Sequence, residues 1–320
     1  MALTQLHIVT SLFNPWRYES RKFHYDRFRQ HVRHTGMCKL YIGELAFGAR
    51  PFDLTQGHHA MVDLGETKEF QFRTRSELWH KERLLNRLVQ ELPPDWEYVA
   101  WVDADVQFAR DDWALETVHM LQHYPVVQMF SHTQNLDSHF GVYEMKPPKY
   151  GFVYAWDHGL QPADYTYGYS SWPHGHPGFA WAFTREAYEK LGGWLDTSIL
   201  GSSDYLMALS MTNQMEKYIP KGITPGFHNS IMQWDDRAQQ YIKRNVGYVP
   251  GLINHYWHGN YANRKYDKRG ETLVEHEFDP NVDLKLDSQG LYQWTDRCPQ
   301  LHYDVRKYFA TRREDHPSDV

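Results

Sequence analysis

Residues 97–105 read Glu97-Tyr98-Val99-Ala100-Trp101-Val102-Asp103-Ala104-Asp105. The first six residues form an apolar, aromatic and β-branched run, the pattern of a short buried strand. Two carboxylates follow at i and i+2, at the strand's carboxyl end. Acids set against a buried strand need a positive partner. Hard carboxylate oxygens at this spacing can converge on one divalent cation, Mg²⁺ or Mn²⁺, which would in turn hold a diphosphate. The bland alternative is a solvated turn at the end of a strand.

The surrounding segments alternate. Upstream, residues 6–12 form an apolar run that ends at Asn14-Pro15, and residues 20–34 are charged and aromatic with helical spacing. Residues 39–43 read as a second strand and residues 48–65 as loop. Leu78, Leu84, Leu85, Leu88 and Leu92 recur at helical spacing, which predicts a helix over 76–92 with Ser76 as N-cap and Pro93-Pro94 as stop. Downstream come a helix over 113–123 and a strand over 126–130. This order predicts an α/β fold with a mostly parallel central sheet flanked by helices. Such sheets bind ligands at the carboxyl ends of their strands, where Asp103 and Asp105 stand. Residues 131–177 read as loop, rich in Tyr, His and Pro. A strand over 178–183, a helix over 185–191 ending at Gly192-Gly193 and a helix over 203–211 follow. The tail beyond residue 260 is highly charged.

Composition narrows the class. The chain has 320 residues, of which 41% are hydrophobic, enough for one large domain with an appendage. Aromatics reach 16%, with 12 Trp and 22 Tyr, and their flat apolar faces suit sugar rings and nucleobases as well as core packing. The net charge of −6 gives no global attraction to nucleic acid. The two cysteines, Cys38 and Cys298, have no metal-type spacing, so a reduced, cytoplasmic protein is expected. The N-terminus lacks the pattern of a signal peptide, no run suits a membrane span, and no repeat is visible.

Two segments, Trp79-His80-Lys81-Glu82 with Asn86, then Trp101-Val102-Asp103-Ala104-Asp105-Val106, resemble glycosyltransferases of the GT-A fold. They look most like family-2-type enzymes and their bacterial and phage-encoded relatives. The resemblance implies a Rossmann-like nucleotide-diphospho-sugar transferase fold, with residues 1–130 as the nucleotide-binding half. Residues 131–260 would be the sugar and acceptor half of the same domain, and residues 261–320 an extension that wraps it. It implies a UDP- or GDP-linked sugar donor and Mn²⁺ or Mg²⁺ on Asp103 and Asp105. Asp105 would be the direct ligand, and Asp103 would touch the ribose or the metal. Thr10, Ser11 and Arg17 after the first strand, with Lys81 and Asn86, would meet the nucleotide.

The resemblance extends to three further blocks. Gly178-Phe179-Ala180-Trp181 matches a small-residue strand against the donor sugar, where glycine permits close backbone approach. Leu191-Gly192-Gly193-Trp194-Leu195-Asp196, leading into Gly201-Ser202-Ser203-Asp204-Tyr205, matches a block whose acid faces the acceptor. Asp204 is therefore the candidate general base, with a helix N-cap as its bland role. Many relatives carry Glu-Asp where this chain has Ser203-Asp204, which leaves one acid. In Asn254-His255-Tyr256-Trp257-His258-Gly259, His258 matches a third metal ligand and His255 an orienting partner. Zinc sites favour Cys and His sets, whereas the acids here suit Mg²⁺ or Mn²⁺.

The expected activity is a hexosyl- or pentosyltransferase acting on an acceptor hydroxyl, with inversion. The acceptor is a glycan, a small molecule or a hydroxymethylated base in phage DNA. Arg264 to Arg269, Arg306-Lys307 and Arg312-Arg313 would supply contact with a diphosphate or an anionic acceptor. The alternatives are a sugar-phosphate nucleotidyltransferase, disfavoured by the lack of glycine over residues 10–17, and a non-catalytic carbohydrate-binding protein with a structural metal.

Overall fold

Every side chain of Val99-Ala100-Trp101-Val102 is buried, and alternate ones join different cores. Val99 and Trp101 pack on one face of a sheet, Ala100 and Val102 on the other, as the two-residue period of a strand requires. The computed structural model describes residues 5–54, 61–63, 67–142, 148–160, 175–266 and 268–317. Its elements run β1 (Leu6–Phe13), α1 (Glu19–Thr35), β2 (Cys38–Phe47), β3 (Met61–Asp63), β4 (Thr67–Thr74), α2 (Lys81–Val89), β5 (Tyr98–Val102), β6 (Val106–Phe108), α3 (Trp113–Leu121), β7 (Val126–Gln128), β8 (His132–Asn135), β9 (Lys149–Tyr150) and α4 (Phe152–Asp157). They continue with β10 (Ala180–Thr184), α5 (Arg185–Leu191), α6 (Ser203–Met211), α7 (Met215–Tyr218), α8 (Pro225–Arg237), β11 (Val246–Tyr248), β12 (Leu252–His255), α9 (Arg269–Glu275), α10 (Pro280–Asp283), β13 (Leu284–Leu286), β14 (Tyr292–Trp294) and α11 (Pro299–Thr311).

The central sheet has the order β11-β7-β10-β5-β1-β2-β4-β3. Its pairings leave only β3 and β10 running against the rest. The fold is therefore α/β with a mixed, mostly parallel sheet, and β5 lies at its centre beside β1. One face carries Trp101, Trp181, Phe183 and Trp194 against Leu84, Leu85 and Leu88 of α2 and the helices α6, α8 and α11. The other carries Ile8, Ala100 and Val102 against Phe28 and Val32 of α1 and Trp113 and Val118 of α3. Among the described residues no helix is long and apolar enough to cross a membrane, and Cys38 and Cys298 are free.

Three local expectations change. The helix predicted over 76–92 begins only at Lys81, with His80 at its N-cap. The hydroxyl of Ser76 instead accepts from the backbone N–H of Trp294, 3.1 Å away. The leucine period ran past the helix because Leu78 and Leu92 are buried from flanking turns. Residues 131–177, read as loop, contain β8, β9 and α4. The described part of 48–65 includes β3. The strand expected over 178–183 starts at Ala180, because Phe179 has φ 74°.

A second sheet, β6-β12-β8-β9, matters more for function. β6 begins one residue after Asp105 and pairs antiparallel with β12, with Val106 opposite His255. The backbone N–H of Tyr256 donates to the carbonyl of Asp105 at 2.8 Å. This pairing brings the acidic turn and the histidine block together.

The tail packs on the N-terminal elements. The Tyr18 hydroxyl donates to the Phe309 carbonyl (3.0 Å), and the Trp257 indole N–H donates to the His316 carbonyl (2.8 Å). Glu314, 1% exposed, lies between Arg21 and Arg312 and accepts from Arg21 Nε (2.5 Å) and Nη2 (2.7 Å). Burial alone would push the Glu314 carboxyl up; Arg21 and Arg312 outweigh it and hold it down to about 2, against an ordinary 4.5. A depressed carboxyl contributes stability above its unfolded value that is lost as the pH falls through its folded value. Melting temperatures should therefore decline as the pH falls from 4.5 towards 2. Glu314→Ala should lower stability at pH 7 by about 3–5 kcal/mol, since it strands the buried Arg312 guanidinium and the part-buried one of Arg21. A chemical-denaturation series at both pH values checks this, and an unchanged midpoint would contradict it.

Candidate active site

Beyond β5 the chain turns at Asp103, whose backbone N–H donates to the Phe179 carbonyl at 2.8 Å. The Asp103 carboxylate meets Lys81 Nζ at 2.5 Å. Lys81 is the first residue of α2, where the helix dipole disfavours a cation. Burial also disfavours its charge, but Asp103, Glu82 and Asp204 together outweigh burial and hold the ammonium above its usual range. Glu82 beside it is 4% exposed, and its carboxyl is pushed up to about 8 by burial, against the opposing pull of Lys81. Asp103 is raised as well, by burial first, with Lys81 opposing.

Asp105 faces the histidines. Its Oδ2 lies 3.2 Å from His258 Nε2 and 3.9 Å from His255 Nε2, and the two Nε2 atoms are 3.0 Å apart. Oδ1 of Asp105 is buried with no hydrogen-bond partner. His255 Nδ1 lies 2.9 Å from Asn135 Oδ1. An amide oxygen accepts only, so Nδ1 carries the proton and the Nε2 lone pair faces Asp105 and His258. Phe179 covers the His255 ring at 4.5 Å between centroids and stacks on His176 at 3.8 Å. Burial, reinforced by Arg264, holds both rings well below the ordinary imidazole range, so both are neutral, the form that ligates. Asp105, His255 and His258 each offer one donor atom, all within 4.8 Å of one another. Two facing imidazole nitrogens and a carboxylate with one orphaned buried oxygen fit a divalent cation. Asn135 supplies the outer hydrogen bond that orients a histidine ligand.

On the opposite wall, α6 starts from two left-handed residues, Gly201 (φ 86°) and Ser202 (φ 76°). Ser202 and Phe179 both line the cleft, and non-glycine residues in this region carry strain that the surroundings must hold. They aim Asp204 into the cleft. Its Oδ1 accepts from the Tyr205 backbone N–H at 2.8 Å. A Cβ on Gly178 would stand 2.5 Å from Oδ2, so the carboxylate rests on bare backbone. Gly178→Ala should therefore shift Asp204 while the core stays intact. A loss of turnover on the order of 100-fold is expected, with little change in melting temperature; equal turnover would show that Asp204 is not held by this contact.

One cleft, about 1210 Å³ counted out to its mouth, is lined by Ser11, Lys81, Asp103, Asp105, Gly178, Phe179, Asp204 and His258, all named from the sequence. The other expected residues do not line it. Thr10 is buried in β1 with its hydroxyl unpartnered. Arg17 lies outside it and pairs with Asp53 at 3.3 Å. Asn86 holds the Gly-Gly turn: it donates to the Trp194 carbonyl (2.9 Å) and accepts from the Trp194 N–H (2.9 Å) and the Tyr188 hydroxyl (3.0 Å). Ala180 and Trp181 are fully buried in β10, with Trp181 packed against Trp101.

The cleft gives new places to some residues and adds others. His255 takes the third ligand position that Asp103, paired with Lys81, does not occupy. Glu82, His176 and Tyr266 line the cleft, and so do Arg264, Arg269 and Arg312 of the tail. The sequence offered His255 as an orienting partner and His258 as the ligand. For the tail arginines, nothing in a charged segment says which cations turn inward.

No protein-family model and no curated protein matches the sequence. Among solved structures, the chain is similar to a mutant of Drosophila β-1,4-galactosyltransferase 7, in complex with manganese, UDP-Gal and xylobiose. Identity is 12% and the TM-score 0.41, over 96% of this chain and 98% of that one. The mannosyltransferase PcManGT from Pyrobaculum calidifontis, in complex with GDP-Man and Mn²⁺, overlaps 73% of this chain and 69% of its own, with 13% identity and a TM-score of 0.35. The 4-diphosphocytidyl-2C-methyl-D-erythritol synthase of Anaerococcus prevotii overlaps 85% of this chain and 97% of its own, with 12% identity and a TM-score of 0.35.

Proposed function

We propose that this protein is a divalent-metal-dependent glycosyltransferase that moves a sugar from a nucleotide-diphosphate donor to an acceptor hydroxyl. The observation that carries this reading is the convergence of Asp105, His255 and His258 with Asp204 on one cleft at the carboxyl ends of β1 and β5. Asp105, His255 and His258 would hold the cation. When bound, it supplies charge stabilisation to the leaving diphosphate. Two imidazoles and one carboxylate suit Mn²⁺ better than Mg²⁺, which prefers oxygen ligands.

The chain's own groups divide the remaining work. Asp103 and Lys81 neutralise each other at the end of β5 and fix the turn that aims Asp105. Ser11 and Leu12 at the end of β1 border the nucleotide end of the cleft. Oδ1 of Asp204 is engaged by a backbone N–H, so Oδ2 is the oxygen that takes the acceptor's proton. A base facing the acceptor, with no separate nucleophile assigned, favours single displacement with inversion. Arg264, Arg269 and Arg312 are buried in the cleft wall and build no outward basic face. Their burial, with the net charge of −6, favours a glycan or a small hydroxyl compound over DNA as the acceptor.

Incubation with a panel of UDP- and GDP-sugars, with Mn²⁺ or with EDTA, tests the proposal through release of free nucleotide. Release that depends on the metal is the expected result. Sugar binding without any release would instead identify a carbohydrate-binding protein.

A further inference from the structure

Of the arginines lining the cleft, two are already satisfied. Arg21 and Arg312 share the carboxylate of Glu314. Arg264 and Arg269 are different. They are 4% and 7% exposed, and among the described residues neither has a carboxylate in ion-pair range. Arg264 Nε is buried with no hydrogen-bond partner, and its terminal nitrogens make only long bonds, 3.4 Å to the Tyr266 hydroxyl and 3.5 Å to the Gly259 carbonyl. Arg269 donates through Nε to the Arg264 backbone carbonyl at 3.0 Å, which ties the Arg269 side chain to the backbone that carries Arg264. Rings cover their flat faces: Tyr261 lies 4.5 Å from Arg264, and Tyr266 lies 4.3 Å from Arg269. Such stacking fixes a guanidinium in the plane and leaves its edge for a planar or tetrahedral anion.

Burying two guanidiniums with no carboxylate in ion-pair range among the described residues is costly, and a ligand that brings negative charge would offset that cost. The charge count agrees. Five lysine and arginine side chains and five carboxyls line the cleft, and with Glu82 pushed up to about 8 the lining keeps an excess of positive charge near neutral pH. A divalent cation on Asp105, His255 and His258 adds two positive charges. A diphosphate diester carries two negative charges and offsets those of the cation.

We propose that Arg264 and Arg269 form a diphosphate seat, so that the tail beyond residue 260 completes the donor site. The assignment of the ligand as a nucleotide-sugar diphosphate rests on the glycosyltransferase reading; the anion seat itself does not. Guanidinium forks bind phosphate oxygens in pairs, which a lysine cannot reproduce.

Calorimetric titration of the full chain with inorganic pyrophosphate, UDP and GDP in the presence of Mn²⁺ tests the seat. Arg264→Gln and Arg269→Gln should each weaken pyrophosphate binding at least tenfold without weakening Mn²⁺ binding in the absence of anion, since Arg264 opposes positive charge at His255 and His258. Arg306→Gln, in the surface pair with Glu77, should change neither. Unaltered pyrophosphate affinity in folded variants overturns the seat. Weakened affinity in a protein that turns over no nucleotide sugar upholds the seat and overturns the transferase reading. Should the variants fail to fold, the wild-type protein crystallised with Mn²⁺ and pyrophosphate decides. Density bridging the two arginines supports the seat, and density elsewhere overturns it.

Discussion

Asp105→Ala is expected to remove turnover by at least about a thousandfold, roughly 4 kcal/mol of barrier, because it takes away the only carboxylate of the cation cluster. The same substitution should raise the melting temperature of the metal-free protein. It deletes a half-buried carboxylate whose buried Oδ1 has no partner and whose charge burial opposes. Opposite signs for activity and stability mark a group held for function rather than for the fold. The comparison between His255→Ala and Asp103→Ala sharpens the assignment. Loss of His255 should weaken Mn²⁺ binding more than loss of Asp103, which is engaged by Lys81 at 2.5 Å. If Asp103→Ala weakens Mn²⁺ more, the carboxylate pair and not the histidine pair holds the metal. Mn²⁺ titration followed by electron paramagnetic resonance separates the two.

Asp204→Asn carries the second large effect. A general base contributes about 10²–10⁴ in rate, so turnover should fall in that range while Mn²⁺ and nucleotide binding persist. The competing role is mechanical. Asp204 sits in the first turn of α6 and accepts from the Tyr205 N–H. A residue that serves only there would cost about 1 kcal/mol of stability and spare the rate. Single-turnover kinetics beside a denaturation curve tells these apart. A stable variant with full activity would return the role of base to another group, and Glu82, buried in the same cleft, is the next carboxyl in line.

Local patterns carried a definite part of this. The alternation of Val99, Ala100, Trp101 and Val102 shows in the sequence because each face of a buried strand needs its own apolar side chain. The helix from Arg185 to Leu191, with Gly192 left-handed at its end, follows from a single residue's conformational freedom. The reversal of β10 within the sheet has no such signature, since an apolar strand reads the same in both directions. Asn86 looked like a polar residue near a ligand because its partners, Trp194 and Tyr188, lie about a hundred positions away. The place of His255 depended likewise on pairing between β6 and β12, which no local spacing announces. Arg264 and Arg269 look, as letters, like any solvated cation; their burial is a property of the packed tail.

The pairing of β6 with β12 also bears on how the molecule comes apart. Asp105 and His258 lie far apart along the chain, so a bound ion is a reversible cross-link that closes a loop of about 150 residues. An ion that binds only the closed form stabilises it by mass action, by about 2.7 kcal/mol at a hundredfold excess over its dissociation constant, and so raises the melting temperature. Thermal shift across Mg²⁺, Mn²⁺ and Zn²⁺ would then rank the ions by how well each buckles the two halves together, with no substrate in the tube.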